Sequence, residues 1–129
     1  MSIQRITKIT GEPEKADRPY SLGTVAEGKF IFLAGCGPFD PKVGGFVRGS
    51  IEEQTRLTLE TLQRIAREAG GDLRNAVSCR VFLQQLTETN FAAMNKAFTA
   101  FFGENRPVRT TIGAQLLNID VEIDAIVKL

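Results

Sequence analysis

An arginine near the C-terminus is the clearest candidate binding group in this sequence. The segment from Val108 to Ala114 alternates by twos, which predicts a β-strand with Arg109 and Thr111 on the same face. A guanidinium presents parallel N–H donors in a plane, and these match the two oxygens of a carboxylate. Arg109 is therefore a candidate for holding a small molecule that carries an acid group.

A candidate general base lies on the next predicted strand, from Asp120 to Val127, where Glu122 and Asp124 alternate with apolar residues. If the apolar faces of both strands pack against helices, Arg109, Thr111, Glu122 and Asp124 all lie on the opposite face of the sheet. A carboxylate there can polarise water as a general base. Arg109 and Glu122 could equally form a structural ion pair, and periodicity alone does not decide between the two interpretations.

The composition excludes several other kinds of catalysis. The chain has 129 residues with no histidine, 16 Lys+Arg and 15 Asp+Glu, for a net charge of +1. Histidine-based general bases, Ser/Cys–His pairs and histidine metal sites are therefore absent. The balanced charge gives no basic footprint for nucleic acid. Cys36 and Cys79 fit no CxxC pattern, so we expect two reduced structural thiols in a cytoplasmic protein.

The elements that must position these residues read as one α+β domain covering residues 1–129. The first helix begins at the Ser50–Glu53 capping box, with a Glu60–Arg64 ion pair expected on its outer face. The expected order is β-β-β-α-β-α-β-β. The named segments are strands Ile3 to Thr10, Phe30 to Ala34, Ala76 to Leu83, Val108 to Ala114 and Asp120 to Val127, a helix from Ser50 to Gly70 with apolar stripe Leu59, Leu62, Ile65, Ala66 and Ala69, and a helix from Glu88 to Phe102.

Two strand–helix–strand connections predict a mixed sheet with both helices on one face. The runs Phe30 to Ala34 and Ala76 to Leu83 are nearly all apolar, which predicts strands buried on both faces. Two helices cannot cover both faces of such a sheet. We therefore expect the uncovered face to meet another subunit in a closed homo-oligomer, where pockets form at subunit junctions.

The remaining candidate features are weaker. Tyr20 is the only tyrosine, and it could be a catalytic hydroxyl or an ordinary packing aromatic. The segment Gly35 to Gly49 holds five of the twelve glycines but neither GxxxxGK[ST] nor GxGxxG, so it predicts an ordered, turn-rich loop. No apolar run approaches the ~20 residues of a membrane span, and the N-terminus lacks the apolar region of a signal peptide.

Taken together, five segments resemble the Rid (reactive intermediate deaminase) family, also called the YjgF-type or RidA-like family. The resemblance covers almost the whole chain, and the Pro-x-Arg-Thr and Val-Glu-Ile-Asp-Ala pieces are its most specific parts. The segments are Arg18 to Gly23, Leu33 to Gly44, Asn95 ahead of Phe101-Phe102, Arg106 to Thr111 and Val121 to Ile126.

The resemblance implies a chorismate-mutase-like α+β fold and a homotrimer with pockets between neighbouring subunits. It also implies hydrolysis of 2-imino acids, or their 2-enamine tautomers, to 2-keto acids and ammonia, with no cofactor and no metal. By position, the implied catalytic residues are Arg109, which binds the substrate carboxylate, and Glu122, which activates water. The implied pocket also includes Tyr20, Gly35, Asn95 and Thr111.

Some positions depart from the pattern, and two other functions stay open. Ala34 and Cys36 stand where RidA-like members often have Ser and Gln, and Thr111 stands where many have Cys. Some members of the family are described as endoribonucleases or translation inhibitors, although the neutral charge argues against a nucleic-acid partner. The third possibility is a non-catalytic or chaperone-like trimer in which Arg109 binds a keto acid or another small carboxylate without turnover.

Overall fold

A four-stranded mixed β-sheet with two helices packed on one face forms the centre of the computed structural model, which describes residues 3–129. The described elements are β1 (Gln4–Ile6), β2 (Gly23–Val25), β3 (Phe30–Cys36), β4 (Phe39–Asp40), β5 (Gly45–Phe46), α1 (Ile51–Glu68), a short 3₁₀ turn (Leu73–Asn75), β6 (Ala76–Leu83), α2 (Glu88–Phe102), β7 (Val108–Gly113) and β8 (Val121–Lys128).

The order of strands in the main sheet is β3-β8-β6-β7. β8 is antiparallel to both β3 and β6, whereas β6 and β7 are parallel neighbours joined through α2. β3 and β6 therefore also run in the same direction, and α1 lies between them in the chain. This arrangement confirms the predicted mixed sheet. Each helix returns the chain to the end of the sheet where the preceding strand began, so the next strand runs parallel to that strand.

The hydrophobic core lies between the helices and one face of β3, β6 and β8. On β8 every second residue from Val121 is buried, while the residues between them are only partly buried. Leu59, Leu62 and Ala66 of α1 are fully buried as predicted, but Ile65 is 42% exposed. Ala69 is exposed as well, so the expectation was wrong for both residues. The buried face of α1 instead includes polar residues such as Thr55, Thr58 and Gln63, which the apolar stripe did not show.

Both ends of α1 follow from local chemistry. The Ser50 Oγ accepts a hydrogen bond from the Glu53 backbone N–H at 3.1 Å, which confirms the predicted cap. Gly70 follows the helix with φ +78°, a conformation that glycine adopts without strain. The expected Glu60–Arg64 pair does not form, since Glu60 pairs with Arg56 at 2.9 Å, one turn earlier on the same helix face.

A buried amide ties the start of α1 to the start of β8. Gln54 is fully buried; its Nε2 donates to Gly49 O and Asp120 Oδ2 at 2.9 and 2.8 Å, and its Oε1 accepts from Asp120 N at 2.9 Å. Arg48 adds a salt bridge to Asp120 at 2.9 Å. Every polar atom of the Gln54 amide group is therefore used, and this network fixes where β8 begins relative to α1.

The N-terminal part of the chain forms two small sheets. β1 is shorter than the predicted strand from Ile3 to Thr10, and it pairs with β2. The glycine-rich loop contains the antiparallel pair of β4 and β5, whose connection includes Gly44 at φ +69°.

The sheet face opposite the helices stays open in the single chain. Phe32 on β3 is 76% exposed, and Arg80 on β6 is exposed as well. The expectation that β3 and β6 are buried on both faces is therefore wrong for one chain, because no described element packs on that side. Within residues 3–129, no helix is long and apolar enough to span a membrane.

Candidate active site

Arg109 lies on the helix side of the sheet, not on the open side where we expected it. Its register partner on β6 is Cys79, which is 1% exposed and faces the core. Thr111 lies opposite Val81, which is also fully buried. The alternation along β7 was predicted correctly, but its faces were assigned the wrong way round. β7 is an edge strand under aromatic residues of α2, so its polar face turns toward the helix.

Three aromatic rings surround the Arg109 guanidinium. Its central carbon lies 4.8 Å from the ring centroid of Phe98, 5.4 Å from that of Tyr20 and 5.5 Å from that of Phe91. Such rings attract a cation with their electron-rich faces and exclude water from it. They are poor hydrogen-bond acceptors, so the N–H groups of the guanidinium are not satisfied by them.

The guanidinium is buried with two of its three nitrogens unpaired. Arg109 is 8% exposed, and neither Nη1 nor Nη2 has a hydrogen-bond partner among the described residues. Burial is the main cause that lowers the pKa of Arg109 to about 10, while Tyr20 and Cys79 act in the opposite direction. A buried charge without a partner is costly, and an anion with two acceptor oxygens would offset this cost.

Thr111 satisfies the third nitrogen. The Arg109 Nε donates a hydrogen bond to Thr111 Oγ1 at 3.0 Å, between two residues on the same face of β7. Thr111 thus contacts the arginine itself, which the sequence did not predict.

Asn95 and Tyr20 lie around the same group. Asn95 occupies the helix face of Phe91 and Phe98, four residues after one and three before the other, and its Oδ1 is buried without a partner among residues 3–129. The loop of Tyr20 is fixed to the segment before β7, since Ser21 Oγ donates to Arg106 O at 2.6 Å. Tyr20 therefore contacts Arg109 from the first loop, and Asn95 lies on the face of α2 that carries two of the rings around Arg109.

Glu122 lies on the open face of the sheet, as predicted. Its register partner on β6 is Phe82, and it is partly buried. Asp124, two residues along, forms a salt bridge with Arg80 at 2.6 Å on that face. Among the described residues Glu122 has no hydrogen bond or salt bridge, so its carboxylate is free to contact a ligand or water.

Gly35 leaves the space that the Glu122 carboxylate occupies. A β-bulge between Leu33 and Cys36 interrupts the pairing of β3 with β8 at this glycine. A Cβ atom at Gly35 would lie 2.6 Å from Glu122 Oε2, which is closer than any real contact. The next residue, Cys36, has its pKa raised by burial first and by the negative charge of Glu122 second.

The predicted site residues thus form two groups on opposite faces of one sheet. The structure brings together Tyr20, Arg109 and Thr111 beneath α2 and, separately, Gly35 and Glu122 near the bulge. Asn95 is placed with the first group only by its position on the helix face of Phe91 and Phe98. Phe91 and Phe98 were predicted as core residues, and their contact with Arg109 was missed. Their spacing on α2 beside an edge strand was the available signal. Cys79 is a buried thiol as expected, and burial raises its pKa to about 12.

Cavity size and metal-binding potential do not point to this site. A groove of about 700 Å³ lies between α1 and α2 and is lined by charged residues that include Glu52, Arg56 and Lys96. None of its lining residues belongs to the Arg109 group. In the part of the chain that the structure describes, no three His, Cys, Asp or Glu side chains lie close enough to hold a metal ion. The unpaired buried guanidinium is the stronger indication.

Comparison with known proteins finds relatives along almost the whole chain. Residues 10–129 match the family model described as Endoribonuclease L-PSP. A RutC family protein from Pyrococcus abyssi is 40% identical over 116 residues, which cover 90% of this chain and 89% of that protein. The chloroplastic Reactive Intermediate Deaminase A of Arabidopsis thaliana is 29% identical over 99% of this chain and 68% of its own length.

A solved structure shows that the fold is shared along the whole chain. A Rid family protein of unknown function from Yersinia pestis superposes with a TM-score of 0.85 at 25% identity and covers 100% of both chains.

Proposed function

Because this chain belongs to the Rid family, also described as Endoribonuclease L-PSP, we propose that it hydrolyses reactive 2-imino acids and their 2-enamine tautomers to 2-keto acids and ammonia. The substrates are small carboxylates whose imine carbon is already electrophilic. The protein therefore needs only to hold the acid group, place one water molecule and manage protons.

The observation that carries this proposal is the state of Arg109. Its Nη1 and Nη2 are buried and unpaired among three aromatic rings, an environment that favours binding of a bidentate carboxylate. A bound carboxylate would also offset the desolvation of the guanidinium.

Glu122 supplies the general base in this proposal. Its carboxylate takes a proton from a water molecule placed about 3 Å from the imine carbon, and the oxygen of that water adds to the carbon. The nitrogen accepts this proton from Glu122, which gives the carbinolamine. Glu122 then takes the proton of the carbinolamine hydroxyl and passes it to the nitrogen, which leaves as ammonia. The carbon–nitrogen bond breaks, the carbonyl of the keto acid forms, and Glu122 returns to its starting state.

A complete site in this proposal requires two copies of the chain. Arg109 and Glu122 lie on opposite faces of the sheet, so one small substrate cannot contact both within a single chain. A homotrimer, which the family resemblance implies, would bring the open face of one copy against the Arg109 side of the next. The exposed Phe32 on the open face supports an interface there.

The direct test generates 2-iminopropionate with an amino-acid oxidase and follows its loss with and without the protein. We expect faster loss with the wild type. In Arg109→Ala, kcat/KM should fall by a factor equivalent to about 2–5 kcal/mol if the carboxylate is buried. Glu122→Gln should still bind 2-oxobutanoate but turn over slowly. No acceleration by the wild type would reject the proposal. Binding of the keto acid without turnover would instead favour a non-catalytic carboxylate-binding protein.

Cleavage of RNA is the second candidate function, because the family description names an endoribonuclease. The net charge of +1 argues against it, since phosphate-backbone binding normally needs a basic track. RNA cleavage that persists through stringent purification and disappears in Arg109→Ala would favour this function. Cleavage that the variant retains would identify a contaminating nuclease.

A further inference from the structure

The guanidinium of an arginine can bind a carboxylate through two hydrogen bonds along either of two edges. The side edge uses Nε with one Nη atom, and the end edge uses Nη1 with Nη2. The two edges differ in direction, so the edge that is used decides where the rest of the ligand points. The partner of Nε therefore controls the orientation of any carboxylate that Arg109 binds.

In this protein the side edge is occupied by Thr111. Arg109 Nε donates to Thr111 Oγ1 at 3.0 Å, and the two residues share one face of β7, so the backbone fixes their separation. Threonine is also branched at Cβ, which limits its χ1 rotamers. The hydroxyl is therefore a rigid acceptor for Nε.

The end edge, by contrast, is available. Nη1 and Nη2 are both buried and have no partner among the described residues, and the rings of Tyr20, Phe91 and Phe98 surround the group without offering strong acceptors. Within residues 3–129, Nε is the only nitrogen of the guanidinium that has a partner, and that partner is Thr111 Oγ1.

We propose that Thr111 is a positioning residue that commits Arg109 to binding the substrate carboxylate end-on, through Nη1 and Nη2. This inference rests on the proposed function in naming the substrate as a small 2-imino acid. Thr111 acts through Arg109 and need not touch the substrate. Without its hydroxyl, Nε becomes a third buried donor without a partner, and the side edge competes for the carboxylate.

Loss of the Thr111 hydroxyl should therefore change turnover more than binding. A carboxylate held along the side edge keeps its two hydrogen bonds, so its affinity changes little. The imine carbon, however, is turned away from the water that Glu122 activates, and misplacement of about 1 Å can cost 10²-fold in rate. A fall in kcat with little change in KM distinguishes a positioning residue from one that binds the substrate directly.

The test compares Thr111→Val, Thr111→Ser and Thr111→Cys with wild type, with Thr89→Val, an exposed residue of α2, as the control. We expect Thr111→Val to lower kcat by about 10–100-fold, as loss of a supporting hydrogen bond typically does, with KM within about 3-fold of the wild-type value. Ser should retain kcat because it keeps the hydroxyl. Cys should fall between them because sulfur is a weak acceptor.

Three kinetic results would overturn the inference: an unchanged kcat in Thr111→Val, a raised KM with unchanged kcat, or Thr111→Ser as slow as Thr111→Val. Thermal unfolding of each variant identifies any that fails to fold, and in that case the Ser and Cys variants decide.

A structure with bound 2-oxobutanoate separates this inference from the proposed function. Carboxylate oxygens on Nη1 and Nη2 in the wild type support it even if the protein does not turn over imines. Oxygens on Nε, or no binding of 2-oxobutanoate by calorimetry, would overturn it.

Discussion

Arg109 and Glu122 face opposite sides of the same β-sheet, on strands that β6 separates. Arg109 lies in register with the core-facing Cys79, whereas Glu122 lies in register with Phe82 on the other face of β6. The backbone of the sheet therefore stands between the guanidinium and the carboxylate. A reaction that uses both groups on one small molecule requires them to come from different copies of the chain.

Mixing two inactive variants should consequently restore activity. Arg109→Met keeps Glu122, and Glu122→Gln keeps Arg109, so a junction between the two variants contains one intact site in one orientation. If subunits exchange randomly in an equal mixture, about a quarter of the junctions are intact. The mixture should therefore recover about a quarter of wild-type activity after unfolding and refolding together, measured with 2-iminopropionate.

The control for this experiment is a mixture of Arg109→Met with the double variant Arg109→Met/Glu122→Gln, which has no intact junction. Activity no higher than in this control would show that both residues serve the same chain's site.

Gly35→Ala should damage turnover far more than stability. The added Cβ would lie 2.6 Å from Glu122 Oε2 and so displaces the carboxylate, but the end of a flexible side chain can move at low cost. We expect kcat to fall by about 10–100-fold and the free energy of unfolding to fall by less than about 1 kcal/mol. Gly45→Ala is the matched control, because a Cβ there meets no atom within 4 Å. Equal kinetics in the two variants would contradict the assigned role of Gly35.

Arg109→Met should stabilise the unliganded protein while removing carboxylate binding. Methionine fills a similar volume without burying an unpaired charge, and this gain is offset in part by the lost contacts with the aromatic rings. We expect a gain of about 1–2 kcal/mol in chemical denaturation. Excess 2-oxobutanoate, at about 100 times Kd, should stabilise the wild type by about 2.7 kcal/mol and the variant not at all.

The exposed pair of Arg56 with Glu60 provides the comparison, since Arg56→Met should change stability by only a few tenths of a kcal/mol. A variant of Arg109 that is less stable than wild type without ligand would mean that an interaction inside the protein satisfies the guanidinium.

Asp120 should make stability depend on pH in the acid range. Hydrogen bonds from Arg48 and then Gln54 lower the pKa of Asp120 below its ordinary value. Because the folded pKa lies below the unfolded one, this contribution is fully present above the unfolded pKa of about 4 and is lost as pH falls through the folded pKa. Asp120→Asn should therefore cost about 1–3 kcal/mol at pH 7 and little near pH 2.

Urea denaturation at several pH values measures this dependence, with Asp17→Asn, at an exposed position, as the control. A difference between Asp120→Asn and wild type that stays constant from pH 7 to pH 2 would contradict the prediction.

The element types, the topology and the location of Glu122 could be predicted from local patterns. The bounds of α2 were predicted as Glu88 to Phe102 from apolar residues at helical spacing and from the stop at Gly103. The structure confirms them, with a Thr87 cap and with Gly103 at φ +58°. The family and the fold followed from residues spread along the whole chain.

The face of Arg109 could not be predicted, because alternation separates two faces but does not say which one packs on a helix. On β8 the apolar set is buried, as is usual. On β7 the set with Arg109 and Thr111 faces α2, and Ile112 is left 37% exposed. The deciding factor is tertiary: α2 presents aromatic rings at an edge strand, and these accept a cation. The shift of pairing at the bulge also depends on how β3 meets β8, which no local pattern shows.

The bulge limits which changes of length this protein can tolerate. Ala34 and Gly35 together span the place where β3 changes register against β8, so Leu33 and Cys36 can pair with Ala125 and Ile123. Deleting one residue there would exchange the side chains on the two faces of the preceding part of β3, or would move Gly35 away from Glu122. The connection between β4 and β5, which is exposed, has no such constraint. Insertions and deletions among relatives should therefore accumulate at that connection and be absent at the bulge.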